Sequence, residues 1–286
     1  MKKNYIIIPT FNDWKSLNKV LNILNKSLIN NANLIIINDC SSESYNLNKK
    51  KFKNIKTIEI INLKKNIGSQ KAIFVGLKYL TKKLKKNSKK SIISVLDSDG
   101  EDNPRVLKKL IKLASTNKDY FIFAARKERT EGKIFKLANR IRLYITFALT
   151  GKFMNFGNFS SFSSSILKKI LINDNLFLAF SSGVVKNYKK ILLLEVKKNK
   201  RYYGTSNVNI VFLINHAVKI ISVFNETVFL RTFLLLLILM YYLKNFNFKL
   251  TFISVFILFN LILFIIKKFS KPKKNFQFIK KIKLIQ

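Results

Sequence analysis

Four of the 14 acidic residues in this 286-residue chain, Asp97, Asp99, Glu101 and Asp102, fall within the six residues DSDGED. The rest of the chain is strongly basic, with 54 Lys+Arg and a formal net charge of +40. An acidic cluster in such a background calls for a specific role. Carboxylates that alternate directly after an apolar run, here SIISVL, can turn toward one hard cation and bind it through oxygen, leaving positions for phosphate oxygens. Asp97, Asp99 and Glu101 are the candidate ligands. Asp102 or Asn103, just ahead of Pro104, would also start a helix well, and Asp102 is assigned partly to that role. Capping does not account for Asp97 and Asp99.

Two further polar clusters follow short apolar runs: PTFND at 9–13 and NDCSSES at 38–44. A carboxylate such as Asp39 can accept a hydrogen bond from a nucleobase N–H. Either cluster taken alone also fits ordinary turn and helix-start chemistry. Other chemistries are excluded by count. A single cysteine, Cys40, rules out a disulfide framework and a cysteine zinc site, and a single histidine, His216, rules out a histidine metal cluster.

The elements that must position these residues are short. Apolar, β-rich runs at 5–9, 34–38, 57–63, 91–96 and 120–125 predict strands, and helices fit between them at 14–28, 69–83 and 104–115. Continuous apolar strands separated by helices imply an α/β fold with a parallel sheet covered on both faces. Ligands then bind at the carboxyl ends of the strands, where all three polar clusters lie.

The C-terminal region has a different character. Residues 228–243 and 250–266 are two apolar runs joined by the six residues KNFNFK. Each is near the lower limit of the ~17–25 residues that cross a bilayer, so a transmembrane hairpin is expected. Arg231, near the start of the first run, can snorkel to the interface. The following stretch, 267–286, carries eight lysines and no acid, against two lysines in the connecting loop. The positive-inside rule puts this basic tail and the large N-terminal portion in the cytoplasm. The four-residue apolar run before Pro9 is too short for a signal-peptide core. Residues 133–149 and 207–226 are amphipathic, fitting surface helices or helices lying in the head-group layer. The expected division is therefore 1–206 catalytic, 207–226 interfacial, 227–266 hairpin and 267–286 tail. Much of the positive charge fits a lysine-rich compositional bias on solvated surfaces equally well; as a functional signal, with a membrane anchor in view, it reads as attraction to anionic lipids rather than to nucleic acid.

Together these residues resemble the family 2 glycosyltransferases of GT-A (Rossmann-like) fold, over residues 4–207. The family's apolar strand followed by P-[TAV]-[YF]-N-[ED] appears as IIIPTFND, and its D-D-G-S as NDCS, with Asn38 and Cys40 replacing Asp and Gly while Asp39 is kept. The N-x-G-x-x-x-A-x-x-x-G segment appears as Asn66, Gly68, Ala72 and Gly76, and the D-x-D motif as Asp97, Ser98 and Asp99. Within the family the chain looks like the polyprenyl-phosphate branch, which includes dolichol-phosphate mannose synthase and the bacterial undecaprenyl-phosphate sugar transferases. That branch's D-x-D-x-Q-D-x-P is matched by DSDGEDNP, and its R-x-x-G-x-S-K by RYYGTSN, ending in Asn207.

The resemblance implies a metal-dependent, inverting hexosyltransferase of the bacterial inner membrane, active in cell envelope biogenesis and using Mg2+ or Mn2+. Its donor is a nucleotide-diphospho-sugar, uridine more often than guanosine, and its acceptor a polyprenyl phosphate. Asp97, Asp99 and Glu101 are the implied metal ligands. Pro9, Thr10, Phe11, Asp13, Asp39, Lys71, Asp97, Ser98 and Arg201 would bind the nucleotide sugar. Arg126 and Arg140 would hold the acceptor phosphate and, with Asp99, make up the catalytic set. Nucleic acid is not an expected partner, and a homo-oligomer is compatible with the family. A phosphate acceptor is already anionic at neutral pH and requires no general base. Relatives with hydroxyl acceptors carry an E-D pair about ninety residues past the D-x-D, where this chain has isolated Asp174 and Glu195. A hydroxyl-acceptor glycosyltransferase using one of these as base, and a non-catalytic membrane-tethered binding protein, stay open as alternatives.

Overall fold

The computed structural model describes residues 3–27, 32–45, 47–84, 91–126, 133–204, 210–272 and 278–285. The chain forms two compact units, one of residues 1–130, 156–207 and 273–286, the other of 131–155 and 208–272. Its strands are β1 (Asn4–Thr10), β2 (Ala32–Asn38), β3 (Ile55–Leu63), β4 (Ile92–Val95), β5 (Phe121–Arg126), β6 (Phe156–Ser163), β7 (Ile191–Val196) and β8 (Ile279–Ile285). Its helices are α1 (Trp14–Lys26), α2 (Ser69–Lys83), α3 (Leu107–Thr116), α4 (Lys133–Thr150), α5 (Ser164–Ile170), α6 (Asn175–Leu178), α7 (Phe180–Asn187), α8 (Ile210–Val223), α9 (Asn225–Tyr242) and α10 (Phe246–Phe269).

In the first unit all the strands form one sheet, ordered β7-β5-β6-β4-β1-β2-β3-β8. Because side chains alternate along a strand, the apolar runs of β1 and β2 feed two separate cores. Ile7, Ile35 and Ile37 pack beneath α2, while Ile6, Ile8, Leu34 and Ile36 pack with Leu17, Val20, Leu21 and Leu24 of α1. The buried positions of α1 recur every three or four residues, as one helix face requires. Gly76 sets how closely α2 approaches the sheet. A Cβ there would lie 3.0 Å from side-chain carbons of both Ile7 and Ile37.

The sheet is mixed rather than parallel throughout. β1, β2, β3 and β4 run parallel, as do β5 and β7, but β6 lies antiparallel between β4 and β5, and β8 antiparallel on β3. The serines of β6 are accommodated by pairing. Ser161 shares a buried hydroxyl–hydroxyl bond of 2.7 Å with Ser94 of β4.

β8 lies within the stretch expected as a basic tail. Residues 267–286 are not simply a basic tail, because Ile279–Ile285 form an edge strand whose partner is Ile58–Leu63 of β3. Lysines 280, 281 and 283 are exposed on it, and charged lysines are what keep an edge strand from pairing further.

The second unit contains α4, α8, α9 and α10. Helices α9 and α10 are long and apolar enough to cross a membrane, and only 6% of each apolar window is buried. Asn260 of α10 donates to Thr232 Oγ1 of α9 at 3.1 Å, fixing their register. Arg231 donates to the Ala148 carbonyl at 2.8 Å, in the last turn of α4, where a cation offsets the negative end of the helix. α4 exposes an apolar stripe: Leu137, Ile141, Tyr144, Ile145 and Phe147 are exposed beside Arg140, while Asn139, Thr146 and Thr150 are buried along with Leu143.

Candidate active site

Strands β4, β1 and β2 are neighbours and parallel, so the loops after them emerge along one edge of the sheet. The Asp39 amide donates to the Thr10 carbonyl at 2.9 Å, continuing the β1–β2 ladder into both loops. Asn12 then binds the two together. Its Oδ1 accepts from the Ser42 amide at 2.9 Å, and its own amide donates to Ser41 Oγ at 3.0 Å. Asn12 adopts φ 46, a left-handed conformation that Asn tolerates better than most residues.

Asp39 is 2% exposed, and its two oxygens accept from the amides of Ile67 (2.8 Å) and Gly68 (2.7 Å). Burial pushes its carboxyl above the ordinary range, while those two bonds and Lys71 pull it back. Asp39 thus anchors the loop that leads into α2, which accounts for its coexistence with Asn66 and Gly68. Asn38 shapes the same turn by accepting from the Ser41 amide at 2.9 Å.

Cys40 has φ 62, in the region that favours glycine, at the position where the resembled family has Gly. A side chain in that conformation costs ~1–2 kcal/mol, partly returned because it also restricts the unfolded chain. Cys40→Gly is expected to stabilise the protein by about 0.5–1 kcal/mol, read as a higher melting temperature or denaturant midpoint. An unchanged or lower midpoint would contradict the strain.

The acidic loop begins one residue past β4. Asp97 accepts from Asn158 Nδ2 at 3.3 and 3.4 Å, and Asp99 Oδ1 accepts from the Glu101 amide at 3.0 Å. Arg201 joins this loop to the first one, with Nη2 2.9 Å from Asp13 Oδ2 and Nη1 3.7 Å from Asp99 Oδ2. Burial, the foremost cause, pushes the Asp99 carboxyl up. Glu101 and Asp13 add to this, and the Glu101 amide and Arg201 oppose it. The helix start falls to Asn103, which accepts from the Arg105 amide at 3.1 Å. Asp102, expected to share that role, instead accepts from the Asp97 amide at 3.4 Å.

The segment after β7 packs along the acidic loop. Lys198 pairs with Glu101 at 2.8 Å, the Asn199 amide donates to the Glu101 carbonyl at 2.9 Å, and the Tyr202 amide donates to the Asp99 carbonyl at 3.0 Å. The Tyr202 ring lies so close to Gly100 that a Cβ there would sit 2.3 Å from it, and Gly100 also has φ 83.

The structure therefore brings together Asp13, Asp99 and Arg201, sets Asp97 beside them in sequence, and turns Glu101 to Lys198. Among the described residues no three His, Cys, Asp or Glu side chains gather as a ready metal-ligand group. Pro9, Thr10 and Ser98 are buried at the strand ends and Phe11 is exposed. Thr10 Oγ1 is buried without a hydrogen-bond partner. Lys71 lies on α2 with its ammonium 5.0 Å from the Phe177 ring centre. Arg126 ends β5, Arg140 is exposed on α4, and Asn207 lies outside the described residues. Asp174 precedes α6, and Glu195 is exposed on β7. Sequence reasoning missed Asn12, Gln70, Asn158, Lys198 and Tyr202, whose roles depend on partners 29 to 110 residues away.

A parallel α/β sheet core with an Asp-x-Asp loop at its carboxyl edge defines the class: a nucleotide-sugar glycosyltransferase fold of GT-A type. Residues 5–176 match the model of the family described as Glycosyl transferase family 2. The chain belongs to that family and is a glycosyltransferase. Comparison with curated protein sequences gives no match. Solved structures are similar at low identity. Glucosyl-3-phosphoglycerate synthase from Mycobacterium tuberculosis, in complex with Mn2+, uridine-diphosphate-glucose and phosphoglyceric acid, is 11% identical over 79% of this chain and 80% of that one, with TM-score 0.54. A mycobacterial protein gives 11% identity, 79% and 74% coverage and TM-score 0.53. Residues 1–349 of S. aureus TarS give 16%, with 80% of this chain covered, 64% of that chain and TM-score 0.45.

Proposed function

We propose that the protein transfers a sugar from a nucleotide-diphospho-sugar to a polyprenyl phosphate at the cytoplasmic face of a bacterial inner membrane, inverting the anomeric centre. An acceptor phosphate oxygen bonds to the anomeric carbon as the bond to the nucleoside diphosphate breaks. Asp97 and Asp99 would hold Mg2+ or Mn2+, offering the hard oxygen donors that such a cation requires. A cation held there supplies neutralisation of the charge that grows on the leaving diphosphate. Glu101, which pairs with Lys198 in this structure, is the third residue that would hold the cation. Arg201, already at Asp99, is the second clamp on the diphosphate. Pro9, Thr10, Phe11, Asp13, Asp39, Lys71 and Ser98 surround the nucleotide sugar, with Thr10 offering an unpartnered hydroxyl. Arg126 and Arg140 orient the acceptor phosphate through forked hydrogen bonds. A uridine donor is favoured; the M. tuberculosis enzyme of the same fold was captured with uridine-diphosphate-glucose.

The observation that carries the membrane part of this reading is the return of β8. The sheet holds chain from before α9 and from after α10, so a hairpin that enters the bilayer must leave on the same side. The outward apolar face of α4 suits immersion in the same lipid layer. Reporters fused before Met1 and after Gln286 are accordingly expected on the cytoplasmic side, and one inserted in 244–249 on the outer side. A Gln286 fusion reached only from outside would sink this topology.

The activity is tested by incubating the protein with lipid extract and several radiolabelled nucleotide sugars. Label in a lipid that mild acid releases as free sugar supports a glycosyl phosphodiester. Label attached to a hydroxyl overturns the phosphate acceptor, and no incorporation from any donor overturns the transfer itself.

A further inference from the structure

Asp97 is reached by a chain of hydrogen bonds that begins three elements away. The Phe180 amide, at the start of α7, donates to Gln70 Oε1 at 2.7 Å. Gln70 Nε2 donates to Asn158 Oδ1 at 2.9 Å, and Asn158 Nδ2 lies 3.3 and 3.4 Å from the two Asp97 oxygens. The first link fixes the direction. A backbone N–H can only donate, so it holds the Gln70 oxygen and turns the Gln70 NH2 toward Asn158. The Asn158 oxygen is then the acceptor, and its NH2 is what remains for the carboxylate.

We infer that Asn158, oriented by Gln70, is a positioning residue for Asp97, setting the plane in which this carboxylate presents its other lone pairs to a divalent cation. This rests on the reading of Asp97 as a cation ligand. The contact to both oxygens comes from one nitrogen, so it sets the orientation of the carboxylate plane. The chain adds no charge to the site. Gln70 and Asn158 are neutral, so the relay constrains direction without competing for the cation. It also links the cation position to the start of α7, where Gln70 satisfies an amide that the helix itself leaves unpaired.

The test measures Mn2+ binding by full-length detergent-solubilised protein in the presence of UDP, reading free Mn2+ by electron paramagnetic resonance, with thermal melting alongside. Asn158→Ala is expected to weaken Mn2+ roughly tenfold, within the range for outer-shell partners of metal ligands, with little change in melting. Gln70→Glu is the sharper variant. Glu is nearly isosteric and still accepts from Phe180, but it cannot donate, so Asn158 must turn over and point its oxygen at Asp97. The relay predicts weaker Mn2+ binding, whereas the added negative charge alone predicts binding that is unchanged or tighter. Wild-type Mn2+ affinity in either folded variant overturns the inference. Asp97→Asn separates the two levels of the claim. Its expected result is loss of Mn2+ binding, and wild-type affinity there would overturn the cation-ligand reading and the relay with it.

Discussion

Asp99→Asn should abolish sugar transfer while leaving the ligand-free protein at least as stable as the wild type. The fold does not need the charge. An amide oxygen at this position still accepts from the Glu101 backbone, which Asp99 Oδ1 now does at 3.0 Å. Burial and the nearby Asp13 and Glu101 push the Asp99 carboxyl above its ordinary range, so its ionised form is held at a net cost when no ligand is bound. Asn removes that cost. Function needs the charge because a diphosphate leaves carrying more negative charge than it had in the bound donor. Stabilisation aimed at such developing charge is worth on the order of 10²–10³ in rate per group, and a lost cation ligand should cost at least that. Turnover and melting temperature measured on one preparation give the check. Near-normal turnover, or full activity of the wild type in excess chelator, would remove Asp99 from the chemistry.

The strands that position the site were legible because each is a run of apolar residues buried on both faces. The runs at 5–9, 34–38, 57–63, 91–96 and 120–125 all lie within or overlap β1 to β5, with ends differing by one or two residues. Helices α1 and α2 begin where expected, at Trp14 and Ser69. β6 was not legible. Its sequence FGNFSSFS has too few apolar residues to announce a central strand, and its serines are tolerable only because partners such as Ser94 lie across the ladder. β8 was hidden for the opposite reason. Its lysines read as a solvated tail, yet Ile279, Ile282 and Ile285 alternate with them imperfectly, and only β3 gives the segment a partner.

The site was legible at the level of strand ends and not at the level of contacts. DSDGED stands out in an acid-poor chain whatever it touches. The Arg201 bridge between Asp13 and Asp99 spans 188 residues and leaves no local pattern. Asp39 shows the same limit from the other side. Its type and place suggest a ligand contact, but its carboxylate holds the Ile67 and Gly68 amides, so one residue serves loop geometry and, on the proposed reading, the nucleotide as well.

Replacing Arg126 or Arg140 by Ala should lower kcat/KM for a polyprenyl-phosphate acceptor roughly ten- to hundredfold while changing nucleotide-sugar affinity little. The size follows from charge-assisted hydrogen bonds to a partly buried phosphate, which contribute on the order of 1.5–3 kcal/mol each. The donor should be spared because the groups assigned to it lie at the ends of β1, β2 and β4 and at Arg201, whereas Arg126 ends β5 and Arg140 is carried by α4. Lys in either place should rescue only in part, since an ammonium lacks the planar fork of a guanidinium. The choice of arginine has meaning in this chain. Only seven of its 54 basic residues are Arg, so arginine is not the composition's default cation. A general attraction to anionic lipid would produce a different pattern. In that case the loss would follow membrane binding, Lys would replace Arg fully, and the defect would vanish with a short-chain, water-soluble polyprenyl phosphate. Normal use of that soluble acceptor by both Ala variants would end the assignment of these arginines to the acceptor phosphate, and it would leave the Asp97–Asp99 prediction standing.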